Sequence, residues 1–586
     1  MIQRGPKGLS LPNGPVSGSP AAIYFHFAHE ISHLNDLRAM KATKSLLLSI
    51  LMLCTLPAFA QPDWLWARSG VGLEYDQASA VTTDPFGNVI ATGYYSSDSI
   101  SFGGITLHNN TPGFSDLCIV KYDPNGNVLW ARSAGGGFDD KGSSVATDAI
   151  GNVYMTGNFY SATITFGTFT LVNAGHVGDI CIVKYDPNGN VLWATREGGA
   201  GLEIPYSIVV DNTGGIIVAG RFSSTTITFG TTTLLQAGSM DVFVVKYNAA
   251  GTVLWAKGAG GGTNDEAYAL AVDAAGDIIV AGYYTQNADF GTITLSNPGQ
   301  ANIFLAKCDG ATGNFLWAKS TGSNGDERAL AISLDALDNI YAAGFFQSDS
   351  LVFGSTTLYS TGIDNGYIAR FDSDGDPVWA HGLDGRSKAQ GIAVANNAVY
   401  ACGVFRNDSL NYGPYLLLLE GSSDLFLLKS DLNGNAQWAA KQTADGGSSE
   451  SALAMAADLT GKLVIAGNFN SDVTTFGSAQ LVNSDGFDFF VVKTGDQDVG
   501  VGEVVNAEGV IISPNPGSGS FALSGIPAGT RRIEVCDALG AVVYREDVPR
   551  DQGQLVLDLS RSRPGLYHLR MIAGGHQVVK KLVVEE

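Results

Sequence analysis

The sequence predicts an all-β chain built on one repeated four-stranded unit, and three observations carry that prediction. Seven of the eight tryptophans, Trp66, Trp130, Trp193, Trp255, Trp317, Trp379 and Trp438, recur at spacings of 64, 63, 62, 62, 62 and 59 residues, each followed by alanine. Each interval holds two hairpin signals: apolar, β-branched runs around an Asp/Gly turn, as in "LAVDAAGDIIVAG", and a second pair around a Pro/Asn-Gly turn, as in "CIVKYDPNGNVLWA". The repeat also begins and ends out of phase. The first Trp strand, "DWLWARS", has no partner strand before it, and the last partner strand, "FDFFVVKT", has no Trp strand after it. One can complete the other and leave no open edge. Seven such units in a closed ring are a seven-bladed β-propeller, and a small β-sandwich follows it.

Composition agrees. The 586 residues include 74 Gly and 19 Pro, with 15% charged residues, which suits short strands and tight turns. The formal net charge of −22 excludes nucleic acid as a partner, since phosphates demand a basic face. The acid is unevenly spread. Of 34 Lys+Arg and 56 Asp+Glu, residues 1–60 hold 5 and 2 and residues 505–586 hold 9 and 9, leaving 20 basic and 45 acidic residues in 61–504. That shift marks a domain boundary.

Residues 1–39 precede a second methionine and read as an upstream extension of a later start. They contain His29, Glu30 and His33, the H-E-x-x-H spacing that places two zinc ligands and a general base on one helix face. The stretch lies before an export signal and outside both folded regions, so it reads as a chance match. Residues 40–60 form that signal. Lys41 and Lys44 make a basic start, Leu46 to Leu56 an apolar run, and Ala58-Phe59-Ala60 a cleavage site before Gln61.

Residues 61–497 hold the repeats. In strand order each unit reads a, b, c and d, with the tryptophan on d and a possible extra hairpin between b and c, as in "TTITFGTTTLLQA". The pattern D-x-F-V-V-K-Y-D, then G-N-V-L-W-A, then A-x-A-V-D-x-x-G-N-I-x-V-A-G resembles the bacterial extracellular beta-propeller repeat proteins. That resemblance covers residues 62–495 and implies a fold without a single activity. "VKYDPNGNVLWA" also looks like the tryptophan-docking repeat of quinone-cofactor dehydrogenases. Those resemble eight-bladed rings with an adjacent-cysteine disulfide, whereas this chain has seven units and no Cys-Cys pair.

Residues 498–510 are a linker, and 511–586 a second domain of short strands. Pro514-Asn515-Pro516, Asp537 with Gly540, "DLSRSRPGLYHLR" with Gly565 and Tyr567, and the terminal "KKLVV" with Lys581 resemble the type A C-terminal sorting domain of the type IX secretion system, an Ig-like sandwich. The resemblance implies recognition by the type IX machinery and export across the outer membrane of a diderm bacterium. Tail removal and attachment to surface lipopolysaccharide, or release, would follow.

Chemistry-bearing residues concentrate in the loops from strand d to the next strand a. These carry Glu74 and Asp76, Asp139 and Asp140, Glu203, Asp265 and Glu266, Asp326 and Glu327, and Glu450. On one propeller face they would form a ring of carboxylates able to bind calcium or the hydroxyls of a sugar. The plainer reading is solvated turn residues copied with the repeat. The sixth unit departs, with His381, Arg386 and Lys388. The c–d turns, such as Asp123 to Asn127 and Asp372 to Asp376, lack the downstream glutamate of a calcium loop and read as hairpin turns. Cys118, Cys181, Cys308, Cys402 and Cys536 read as core thiols, and no histidine spacing or G-x-S-x-G elbow suggests a metal or a triad. The recurrent lysine of "VVKY" reads as a side chain lying along the blade surface.

The reading that follows is a monomeric, exported, non-catalytic propeller that binds a glycan or protein ligand, with no cofactor beyond calcium. An extracellular polysaccharide hydrolase or lyase is the alternative. It requires a cluster that breaks the repeat symmetry.

Overall fold

Strands b and c of each repeat are continuous apolar runs buried on both faces, and strands a and d alternate, so b and c are the inner strands of each sheet. The computed structural model describes residues 63–495 apart from 176, 298 and 445–447. It also describes the tail residues 511–584 apart from 516, 525, 527–529, 537–541, 549–553, 561 and 574–575. Residues 1–39 with His29, Glu30 and His33, the signal segment with Ala60 and Gln61, and the linker 498–510 lie outside the described residues.

Among the described residues, seven antiparallel sheets share the strand order a-b-c-d. The first is Asp76–Thr83, Val89–Tyr95, Asp116–Tyr122 and Val128–Ala134. The next five begin at Asp140, Glu203, Asp265, Glu327 and Ser387. The seventh takes Glu450–Ala457, Leu463–Phe469 and Asp488–Thr494 and is finished by the N-terminal strand Trp64–Gly70, whose Ala67 pairs with Val492. Short hairpins such as Thr226–Phe229 with Thr232–Leu235 stand between b and c. Each a strand packs against the a strand of the next sheet, and the seventh packs against the first. The apolar clusters sit between neighbouring sheets. One joins Val464, Phe489 and Val491 of the seventh to Val89, Tyr95 and Phe102 of the first. These repeated four-stranded sheets are propeller-like.

The tryptophans explain the 62-residue beat. Trp130 Nε1 donates to the carbonyl of Pro187 at 3.0 Å, in the c–d turn of the next sheet, and its ring lies over Gly189. Trp66 does the same on Pro124 and Gly126, and Trp379 donates to Leu432. Gly189 has φ +79°, and a Cβ there would meet the indole at 2.6 Å, so the turn glycine serves both conformation and packing. Asp123 Oδ1 accepts from the amides of Asn125 and Asn127, the side-chain turn expected of these loops.

The recurrent lysine differs from its sequence reading. Lys121 Nζ lies 2.9 Å from Asp84 Oδ2, Lys246 lies 2.7 Å from Asp211 and Lys493 lies 2.9 Å from Asp458, all buried. The side chain pairs with the a–b turn aspartate of its own sheet because a buried ammonium needs a carboxylate partner.

The tail forms two sheets. One orders Ile511–Ser513, Ser520–Ser524 and Gln554–Asp558, and the other Val542–Asp547, Thr530–Cys536, Gly565–Ala573 and His576–Val584. Phe521, Leu557, Ile533, Leu569 and Leu582 share one core. No helix among the described residues is long and apolar enough to cross a membrane.

Candidate functional site

Every a strand carries a β-bulge at the same place. The a–b register skips one residue between Ala78 and Ala80, Gly142 and Ser144, Pro205 and Ser207, Ala267 and Ala269, Ala329 and Ala331, Ala389 and Gly391, and Ala452 and Ala454. The extra residues are Ser79, Ser143, Tyr206, Tyr268, Leu330, Gln390 and Leu453. All seven line one central cavity of about 440 Å³, together with Gln77, Tyr94, Lys141, Gly142 and Asn158. A bulge re-aims a side chain, and here seven of them converge.

The sequence builds the bulge with a glycine. Strand b holds Gly93, Gly157, Gly220, Gly282, Gly344, Gly403 and Gly467 opposite it. A Cβ on any of them would stand 1.8–2.3 Å from the carbonyl oxygen two residues before the bulged one: Gln77, Lys141, Ile204, Glu266, Arg328, Lys388 and Ser451. Glycine inside a strand marks a bulge or a close backbone approach. The strand b glycine two residues before a Phe or Tyr was therefore the signal for this site, and the variable residue between two small or short ones, A-x-A in four of the seven units, marked its lining. Neither was read from the sequence.

The wall is chemically asymmetric. At the third to fifth sheets, the Tyr206 and Tyr268 rings meet edge to face at 4.8 Å. Arg221 Nε donates to the Tyr206 hydroxyl at 3.2 Å and lies 3.6 Å from Glu266. The Tyr283 hydroxyl donates to Glu266 Oε1 at 2.9 Å. Arg328 donates to the Tyr268 hydroxyl at 2.9 Å, grips Asp326 with two nitrogens, and lies 4.2 Å over the Tyr283 ring. Burial pushes the Tyr206, Tyr268 and Tyr283 hydroxyls well above their usual range, so they stay protonated. The first and second sheets contribute Gln77, Ser79, Ser143, Asn158 and Lys141, whose ammonium lies 4.6 Å over the Tyr94 ring.

The ten loop acids do not stand together as an open ring. Asp76, Asp140, Glu203, Asp265, Glu327 and Glu450 are first residues of a strands and are buried. They accept hydrogen bonds from the b–c connection or from the d–a loop before the strand. Asp76 Oδ1 accepts from the Ser96 and Ser97 amides, Asp140 Oδ1 from those of Tyr160 and Ser161, and Glu203 Oε1 from that of Ser224. Asp265 Oδ1 accepts from the Thr285 amide, Glu327 Oε2 from the Ser323 amide, and Glu450 from Gln442 and Ser471. Glu266 is buried in the tyrosine network, Asp326 is held by Arg328, and Asp139 accepts from the Ser115 amide at 2.9 Å. Glu74 is exposed. An unsolvated strand start needs an acceptor for loop amides, which is the reason these acids repeat.

A second set of buried acids opens the c strands: Asp116, Asp179, Asp241, Asp424 and Asp488, with Asn302 and Asn365 at the matching places. Asp116, Asp241, Asp424 and Asp488 each neighbour the a-strand acid of the next sheet. Asp241 Oδ1 and Asp265 Oδ2 lie 2.6 and 2.8 Å from the position a side chain on Gly260 would take. Burial pushes Asp76, Asp265 and Glu450 up to about 7 and Asp140 and Asp488 up to about 6. Among the described residues, no group of three or more His, Cys, Asp or Glu could hold a metal ion.

The asymmetry seen in the sixth unit is structural in part. His381 packs on Trp379 at 5.2 Å, and burial pushes its imidazole below its usual range. Arg386 is exposed, and Lys388 lies 3.6 Å from Asp364. Cys118, Cys181, Cys308 and Cys402 are free and buried. In the tail, Asn515 Oδ1 accepts from the Val583 amide at 2.9 Å, the Tyr567 hydroxyl donates to the Arg563 carbonyl at 2.7 Å, and Gly565 opens its strand. Pro514 precedes Asn515, Lys581 lies in the last strand, and Pro516, Asp537 and Gly540 fall outside the described residues.

Residues 512–585 match the family described as secretion system C-terminal sorting domain. The chain is 27% identical over 534 residues to the uncharacterized WD repeat-containing protein L264 of Acanthamoeba polyphaga mimivirus, covering 74% of this chain and 38% of that protein. It is 22% identical over 332 residues to the regulatory protein FlaEY of Caulobacter vibrioides, covering 52% and 34%. It thus spans little more than a third of either relative. Among solved structures, the β-propeller domain of the trilobed protease from Pyrococcus furiosus superposes with a TM-score of 0.35 at 9% identity, over 70% of this chain and 99% of that one. The quinohemoprotein alcohol dehydrogenase from Comamonas testosteroni gives 0.32 at 12%, over 74% and 78%. The chain is a propeller-like repeat protein that ends in a type IX C-terminal sorting domain, which indicates secretion or cell-surface anchoring in a diderm bacterium.

Proposed function

We propose that this protein is a seven-bladed, non-catalytic binding module of the cell surface or medium, whose ligand seats in the central cavity. One observation carries the reading. The repeat keeps its frame constant, yet places Ser, Ser, Tyr, Tyr, Leu, Gln and Leu at the one bulged position that faces the cavity. Structural repetition explains a constant frame. It does not explain a variable lining, which is how a repeat architecture encodes selectivity. The volume lies in the range of about 300–1,000 Å³ typical of small-ligand sites. Glu266, the buried acid beside the cavity, is engaged by Arg221 and Tyr283, which suits recognition more than proton transfer.

The frame is taken as a ring closed by the N-terminal strand, acting as a monomer after loss of residues 1–60. The loop acids hold that frame, with Glu74 the member free to meet a ligand or calcium at the mouth. The test is a glycan and peptide binding screen on the secreted protein, with Tyr206→Ala and Tyr268→Ala beside an outer control, Leu129→Ser. Binding weakened at least about tenfold by the tyrosine variants and unchanged in the control is expected. Equal binding by all would place the ligand elsewhere. Turnover of a polysaccharide would favour the enzyme reading.

A further inference from the structure

We infer that the central cavity selects an acidic sugar, a hydroxylated ring bearing a carboxylate, with Lys141 as the partner of that carboxylate; this rests on the cavity being the binding site. Four cations border the cavity or its network. Three are engaged: Arg221 with Glu266 at 3.6 Å, Arg328 with Asp326 at 2.7 Å, and Lys388 with Asp364 at 3.6 Å. Lys141 has no carboxylate or hydrogen-bond partner among the described residues, only the Tyr94 face at 4.6 Å. In a chain of net charge −22, an unpaired ammonium on a cavity wall is a feature to explain. A lysine already resting on a ring has a fixed position, so it can meet an anion with little ordering cost.

The rest of the lining specifies the body of the ligand. Tyr206 and Tyr268 offer rigid aromatic surface, since their hydroxyls are held by Arg221 and Arg328. Ser79, Ser143 and Asn158 of the first and second sheets offer short donors and acceptors in the same lining. Gln390 adds an amide side chain to the same lining. An aromatic wall, hydroxyls and amides, and one cation suit a uronate-type ring, which brings a face that stacks on a tyrosine together with several hydroxyls and a single carboxylate.

The experiment measures binding of an oligogalacturonide, its carboxyl-reduced counterpart and poly-glutamate to the full secreted protein and to Lys141→Met, Lys141→Arg and Tyr268→Ala. Expected are binding of the oligogalacturonide only, a loss of roughly tenfold or more in Lys141→Met, near-complete retention in Lys141→Arg, and weakening by salt. Equal binding of the reduced oligomer, still abolished by Tyr268→Ala, would overturn the acidic class and leave the cavity as the site. Oligogalacturonide binding indifferent to both Lys141 and Tyr268 would overturn the cavity itself. Preference for poly-glutamate, or no binding of the oligogalacturonide, would also overturn the inference.

Discussion

Asp265 shows how far a residue's place in the fold can depart from its type. As a loop acid it would be ionised and wet. As the first residue of an a strand it is buried beside Asp241, and desolvation pushes its carboxyl up to about 7. The chain itself tests whether charge is needed there. The fourth and fifth sheets open their c strands with Asn302 and Asn365, and Ser387 replaces the acid at the start of the sixth. A neutral hydrogen-bonding group therefore fits. A carboxyl whose folded pKa is raised stabilises fully below its unfolded value, and that stability is lost as pH rises through the folded value. Asp76, Glu450, Asp140 and Asp488 act in the same direction. The melting temperature is accordingly expected to rise between pH 8 and pH 5.5, against the usual trend of acid loss. Asp265→Asn should melt higher than the parent at pH 8 and show a shallower rise. A parent that melts lower at pH 5.5 than at pH 8 would refute the protonated-pair account.

At the scale of the element, the strand b glycine and the strand a bulge are one device. Gly282 lets the Glu266 carbonyl approach, and the bulge that results turns Tyr268 to the cavity. A methyl at 282 would stand 1.9 Å from that oxygen, so the bulge must open or the strand must shift. Gly282→Ala should destabilise by about 1–3 kcal/mol, the usual cost of overpacking, and should weaken ligand binding with it. Tyr268→Ser should weaken binding while moving stability far less, because a bulged side chain supports no ladder bond. Urea unfolding and binding measured on both variants separate the two. Element type and order were legible: the Trp beat and the Asp/Gly and Pro/Asn-Gly turns predict the strands that form. The bulge was not read, because a period-two pattern assigns faces by parity and a single extra residue breaks parity without changing composition.

For the whole molecule, the ends matter most. Trp64–Gly70 is the outer strand of the seventh sheet, formed from the opposite end of the repeat region. Deleting residues 61–70 should expose the Asp488–Thr494 edge and lower the melting temperature sharply, with proteolysis beginning in the seventh sheet when cleavage sites are mapped by mass spectrometry. Cleavage spread evenly over all sheets would argue against that strand as the closure. Deleting residues 511–586 should leave the propeller folded and trap it in the periplasm, which cell fractionation reads directly; unchanged export would dismiss the tail as the signal.

By itself the sequence determined the repeat, its strand content, the pairing of the first Trp strand with the last c strand and the sorting tail, because each is written in local periodicity, turn chemistry or a short motif. Only the tertiary structure decided what the polar residues do. Burial is a property of neighbours far away in the chain. Six acids of the d–a loops became internal acceptors, and the lysines of "VVKY" became buried partners of turn aspartates. The variable centre of A-x-A, silent in the linear pattern, became the wall of the cavity once seven strands were brought around it.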